Sequence, residues 1–326
     1  MPPETPRTLD GLFTHERRDD ARASGNRTNG RRADRPPALV DTTGLTADDV
    51  RGRSDDEPGR TFDTDRLITM AWKSGNFLRH TGIRHGTTVG VVGGGPMALF
   101  AFFGTALLGG RVQFDPPTDC PTDERFRTVV APADVIERYT VAPGAQRVCY
   151  GGEPPEPAVH HFESGLWSEN PSFPPVEIDP ETPLLWYSSS TTAPGPSTRT
   201  TEAETDDPIE IPEPAETPEP SETPKPSETP EPITTISHGE AMSRARSYAT
   251  QAGIEPGTRV LVRDSFADPR VLVAGVLAPL VVGGTVVLRG VSEDGLSSAL
   301  DVDHVVGFDD GPDPVISAWF GGSFET

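Results

Sequence analysis

The chain has 326 residues, enough for two compact domains or for one large α/β domain with parts that do not pack. Its 36 prolines and 33 glycines place part of it outside any packed core. A formal net charge of −22, from 28 Lys and Arg against 50 Asp and Glu, argues against a nucleic-acid or anionic-membrane surface, because phosphates are repelled. Lys73 and Lys225 are the only lysines, and abundant carboxylates with scarce Lys suit a protein solvated in high salt. The expected setting is a halophilic cytoplasm, with an acidic mesophilic protein as the alternative. The opening MPPETPRTLD has no apolar core of a signal peptide. The apolar runs Met97–Leu108 and Val271–Leu288 do not read as membrane spans. The first is too short, and Gly275, Pro279, Gly283 and Gly284 break the second.

In chain order, residues 1–33 read as a flexible segment in which Thr8–Phe13 could start a short helix with Thr8 as its cap. An α/β unit is expected over 34–200, beginning with a short strand at Pro37–Asp41. Asp63 or Thr64 can cap a helix whose apolar positions Leu67, Met70, Ala71, Phe77 and Leu78 recur near helical spacing. Gly82-Ile83 ends it, and Thr87–Val92 is a β-branched strand. Gly93–Pro96 turns the chain into an apolar helix at Met97–Leu108, and Arg111–Phe114 is the next strand. This β-α-β unit predicts a parallel sheet with right-handed crossovers. Val129–Ala131, Val148–Tyr150 and Leu184–Tyr187 are further strands. Residues 201–232 carry the hexads AETPEP, SETPKP and SETPEP, and their prolines and acidic charges predict a disordered, extended linker. A second unit is expected over 233–310, with helices at Gly239–Gln251 and Val271–Leu280 and strands at Arg259–Val262 and Thr285–Leu288. Val291–Leu300 reads as helix, Val305–Phe308 as a short apolar run, and 311–326 as a flexible tail. Cys120 and Cys149 lack metal-ligand spacing and read as inert core thiols rather than a disulfide or site.

A strand that runs into a loop rich in Ser, Thr and Gly can wrap phosphate oxygens with N–H groups and hydroxyls. Leu184–Tyr187 followed by Ser188, Ser189, Ser190, Thr191 and Thr192 has that form, although such clusters are also ordinary solvated loops. The segment Tyr187–Ser197 is similar to the Tyr-Thr-Ser-Gly-Thr-Thr-Gly-x-Pro-Lys-Gly loop of the adenylate-forming superfamily, which includes acyl-CoA synthetases, luciferases and nonribosomal-peptide adenylation domains. Tyr187, Ser189, Thr191 and Thr192 match. DRPPALVD at 34–41, the run from RTFDTDRL through GIRHGTTVGVVGGGPMALFAFFGTALLGGRVQFDPPTD, and the stretch from Ile233 to Leu288 also resemble family segments in the right order. The resemblance implies part of the large N-terminal domain of that fold, with ATP or AMP and Mg²⁺ as cofactors and a carboxylic acid as ligand.

The departures oppose catalysis. Ser190 and Ala193 stand where the family has Gly, which hinders close backbone approach to phosphate. Pro196 stands in the place of a Lys, removing a cation, and Pro194 and Pro196 remove N–H donors. In the family, later segments supply an acidic Mg²⁺ ligand, an Asp for the ribose and a C-terminal domain with a Lys that stabilises developing charge. No lysine follows Lys225. The expectation is a truncated AMP-dependent ligase-like protein with reduced or lost acyl-adenylating activity. One alternative is half of a split ligase completed by a separately encoded C-terminal domain. Another is a noncatalytic scaffold with the Pro/Glu tract as its arm.

Other candidates have simpler readings. His238 is expected to cap or pack rather than act as a base, since no nucleophile or carboxylate surrounds it in sequence. His160-His161 reads as a solvated pair, Gly93-Gly94-Gly95 as a tight turn without dinucleotide spacing, and Asp268 as a helix cap before Pro269.

Overall fold

The computed structural model describes residues 6–27, 36–43, 59–120, 123–188, 233–289 and 302–307. Strands β1 (Leu39–Asp41) and β2 (Arg60–Phe62) precede helix α2 (Thr64–His80), with α1 (His15–Arg27) before them. Then come β3 (Thr88–Val91), α3 (Pro96–Leu107), β4 (Arg111–Phe114), β5 (Phe126–Pro132), β6 (Gln146–Tyr150), β7 (Val159–His161), α4 (Phe162–Ser168) and β8 (Pro183–Ser188). The second half holds β9 (Ile233–Ser237), α5 (His238–Ala252) and β10 (Arg259–Val262). A helical stretch follows, made of α6 (Pro269–Val271), a π segment (Leu272–Leu277) and α7 (Ala278–Val282), and then β11 (Thr285–Leu288) and β12 (His304–Val306).

The strands form two sheets. The larger has the order β7-β6-β5-β3-β4-β8-β9 and is parallel except for the β8–β9 pair. The smaller has the order β12-β10-β11-β1-β2 and is parallel except for β1–β2. The expected parallel α/β architecture is therefore present on both sides of the 201–232 tract, which itself lies outside the described residues.

Helix α3 is apolar on all sides because it is covered on all sides: every residue but Met97 is buried. It crosses α2 where both helices are small. A Cβ on Gly104 would come within 2.3 Å of Ser74 Oγ and 2.6 Å of the Gly75 nitrogen. Around it the rings of Phe13 and Phe103 lie 4.8 Å apart, Phe62 and Phe100 5.3 Å, and Phe102 and Phe114 5.9 Å. Asp63 is the residue that caps α2, accepting the Arg66 N–H at 2.8 Å.

Three features depart from the sequence reading. The N-terminal segment, expected to be flexible, contributes to the core: Leu9, Leu12 and Phe13 are buried. Helix α1 behind them has no apolar stripe. It is held through Arg18, whose Nε lies 2.8 Å from Asp65 Oδ1 and whose guanidinium sits 4.7 Å over the Trp72 ring. Thr8 precedes a 3₁₀ turn at Leu9–Leu12 but makes no side-chain cap bond. The helix expected at Val271–Leu280 starts at Pro269 and passes through the π segment. Pro279 lacks an N–H and its ring crowds the carbonyl four residues back, at Gly275, which the wider turn accommodates. Val291–Leu300 and the 311–326 tail lie outside the described residues. No helix among the described residues is long and apolar enough to cross a membrane.

Candidate functional site

The carboxyl ends of β3, β4 and β10 meet at one edge, the position at which open α/β sheets place their ligand cleft. Strand β4 ends at Phe114 and leads into Asp115, whose φ of 44° makes it the one non-glycine residue with a left-handed backbone among the described residues. Its carboxylate joins the two sheets. Oδ1 accepts the Gly93 N–H at 3.3 Å, from the turn after β3, and Oδ2 accepts the Ser265 hydroxyl at 3.0 Å, from the loop after β10. Beside this bridge the rings of Phe114 and Phe266 meet edge to face at 5.5 Å.

Gly93 has φ 96°, and a Cβ there would lie 2.4 Å from the Tyr150 hydroxyl, which donates to the Val92 carbonyl at 2.6 Å. The glycine turn is thus a packing device, as expected, with Gly95 at the N-cap of α3. Burial, reinforced by Asp115 and other carboxylates, pushes the Tyr150 phenol well above its ordinary pKa, so it stays a neutral donor.

Strand β8 brings Tyr187 to the same edge. It pairs with β9, Tyr187 opposite Thr234 and Ser188 opposite Ile233. Burial raises the Tyr187 pKa. Arg244 and a hydrogen bond with Thr234 pull it down, while Glu240 and Asp268 push it up. Those same charges are tied to each other: Arg244 lies 2.5 Å from Glu240 Oε1 one helical turn away on α5. Arg270 grips Asp268 with Nε 2.9 Å from both carboxylate oxygens and Nη2 2.5 Å from Oδ2. Asp268 also accepts the Arg270 N–H at 2.8 Å, which bears out its reading as the cap of α6.

Of the five candidate phosphate-binding residues, Ser188 ends β8 at the cleft, and Ser189, Ser190, Thr191 and Thr192 lie outside the described residues. The carboxylates at the cleft are each engaged, Asp115 by Gly93 and Ser265, Glu240 by Arg244 and Asp268 by Arg270. No group of three or more His, Cys, Asp or Glu among the described residues is placed to hold a metal ion.

His238 is the first residue of α5, but the cap is Ser237, whose hydroxyl accepts the Glu240 N–H at 3.2 Å. His238 itself is fully buried, and its Nδ1 accepts the Leu9 N–H at 3.3 Å. Burial pulls its pKa down to about 4, so it packs as neutral imidazole. His160 and His161 contact Gln146 and Ser164. Cys120 and Cys149 are buried free thiols. Burial lifts Cys120 to about 11 and also raises Cys149, which suits inert core residues.

Asp115, Ser265 and the Glu240–Arg244 pair escape a reading of motifs. The i,i+4 spacing of Glu240 and Arg244 is a visible signal, whereas the Asp115–Ser265 bond joins residues 150 positions apart.

No protein-family profile and no curated protein sequence matches the chain. Its fold is nonetheless shared with solved structures. The anthranilate CoA ligase AuaEII in complex with anthranoyl-AMP superposes with a TM-score of 0.55 at 16% identity, over 87% of this chain and 45% of that one. A putative long-chain-fatty-acid CoA ligase from Rhodopseudomonas palustris gives 0.59 at 12% identity, over 93% and 63%. The inhibitor-bound N-terminal domain of FACL13 from Mycobacterium tuberculosis gives 0.58 at 14% identity, over 96% and 64%. The chain thus has the fold of the N-terminal part of acyl-CoA ligases, and it spans less than two thirds of the length of each of these three.

Proposed function

We propose that the protein is an AMP-dependent acid–CoA ligase-like protein that binds an adenine nucleotide or an acyl ligand, with adenylating activity reduced or lost. The observation that carries this reading is the shared carboxyl edge. Strand β8 carries Tyr187 to the carboxyl edge where β4 and β10 meet, in a fold shared with ligases. Reduced activity is supported by the loop sequence itself, where Pro196 takes the place of a lysine and Ser190 and Ala193 take the places of glycines. Without that cation, charge that develops on a transferring phosphoryl group loses a stabilising partner.

The test is ATP–pyrophosphate exchange in molar salt with a panel of carboxylic acids, beside equilibrium binding of AMP. The expected result is saturable AMP binding with exchange at background. Robust exchange by this chain alone would overturn the loss of activity. Exchange only on addition of a C-terminal domain carrying the family's lysine would identify a split ligase. Failure to bind AMP or any acid would remove the ligand-binding reading and favour an interaction role.

A further inference from the structure

On the opposite edge of the larger sheet, beyond the amino ends of β3, β4, β5 and β8, lies a hollow of about 480 Å³. Four arginines line it, Arg84, Arg111, Arg125 and Arg127, against a single carboxylate, Glu124. In a chain with 28 basic and 50 acidic residues, such a gathering runs against the overall charge. Like charges this close repel unless something neutralises them.

The four arginines differ in what they already do. Arg111 is committed to the fold: its Nε donates to Thr88 Oγ1 at 2.6 Å, and its guanidinium sits 4.7 Å over the Trp186 ring. Its Nη2 lies 3.8 Å from Asp123 Oδ2. Burial lowers its pKa, the Asp123 charge opposes that, and the nearby Arg125 charge adds to it. Arg84 and Arg125 are exposed and Arg127 is half-buried. No carboxylate among the described residues pairs with the guanidinium of any of these three. Each is a planar fork of donors suited to bidentate capture of phosphate oxygens.

We propose that this hollow binds a small, multiply charged oxyanion of the phosphate class, a diphosphate, through Arg84, Arg125 and Arg127. Arg111 serves as the fixed wall. The size lies within the range of about 300–1,000 Å³ usual for small-ligand sites. A lone carboxylate would neutralise one guanidinium, whereas a diphosphate answers all three. The site is separate from the β4–β8–β10 cleft and does not depend on what that cleft binds.

The diphosphate could be free or carried by a nucleotide, and calorimetric titration of the full chain with inorganic pyrophosphate and with ADP distinguishes the two. At low ionic strength, one saturable site is expected for the better ligand, and molar potassium chloride should weaken it. The double variant Arg84→Gln/Arg125→Gln should bind it at least about tenfold more weakly. Its melting temperature should stay unchanged, because both side chains are exposed. Arg127→Gln should weaken binding as an independent check. Tighter binding of pyrophosphate marks a site for the free anion, and tighter arginine-dependent binding of ADP marks a nucleotide site. Absence of binding by the parent, or equal affinity in the parent and the double variant, would overturn the proposal.

Discussion

The two β-α-β units of the molecule, β3–α3–β4 and β10–α6–α7–β11, share one plan and solve it differently. In the first, a regular helix of large aromatic and small residues is driven tightly against α2, and the turn before it is glycine backbone packed on Tyr150. In the second, a π segment interrupts the helix to make room for Pro279, and the turn before it is a polar loop capped by Asp268. Of the two turns, the polar one presents the side chains of Ser265 and Asp268, while the glycine turn contributes the Gly93 N–H and shape. A shared scaffold therefore fixes positions, and turn chemistry decides what is presented there.

Substitutions can test this contrast. The largest effect is expected at Phe100, fully buried in α3: Phe100→Ala should lower unfolding free energy by about 3–5 kcal/mol in urea titration. An acid effect of about 3 kcal/mol is expected from His238 next to the second unit. Its folded pKa, about 4, lies below the unfolded 6.5, so the unfolded chain binds the proton first. The stability linked to neutral His238 is complete above pH 6.5 and is lost as pH falls toward 4. His238→Gln should flatten that part of the pH–stability curve.

Smaller effects separate the two helices. Gly104→Ala drives a methyl against backbone and hydroxyl of α2 and should cost about 1–3 kcal/mol. Gly275→Ala in the π segment meets a side-chain methyl of Val262 at 2.9 Å, which can give way, and should cost less. Equal costs at the two glycines would break the contrast. Asp268→Ala should remove about 1 kcal/mol through the lost cap, measured as a shift in thermal unfolding. Pro279→Ala should change stability by no more than about 1 kcal/mol, since the fold already absorbs the ring. Amide hydrogen exchange over Leu272–Leu277 should then report a regular α-helical ladder.

Much of the fold is legible where a buried element carries its own pattern. The bounds expected for β4, β10 and β11 coincide with the strands found, because β-branched runs bounded by glycine, proline or charge leave little freedom. Helix α1 is hidden for the opposite reason. Its docking rests on polar side chains, Arg17, Arg18, Arg22 and His15, that meet Leu280, Asp65, Trp72 and Phe173 far along the chain, and no periodicity announces that. The π segment is likewise set by one proline and one packed glycine inside a run that otherwise reads as plain helix. At the cleft, Tyr187 is visible through its likeness to a known loop. Asp115 is not, because its role comes from a backbone angle and a partner that only the folded chain brings near.

The β8–β9 pair carries a consequence for how this protein can change over time. Ser188 and Ile233 face each other across an antiparallel ladder, so the ends of the chain between them are held one strand spacing apart. Closing a longer loop between fixed ends costs only about 0.6 kcal/mol for each doubling of its length. Sequence can therefore be added or removed between these two residues with little penalty to the sheet.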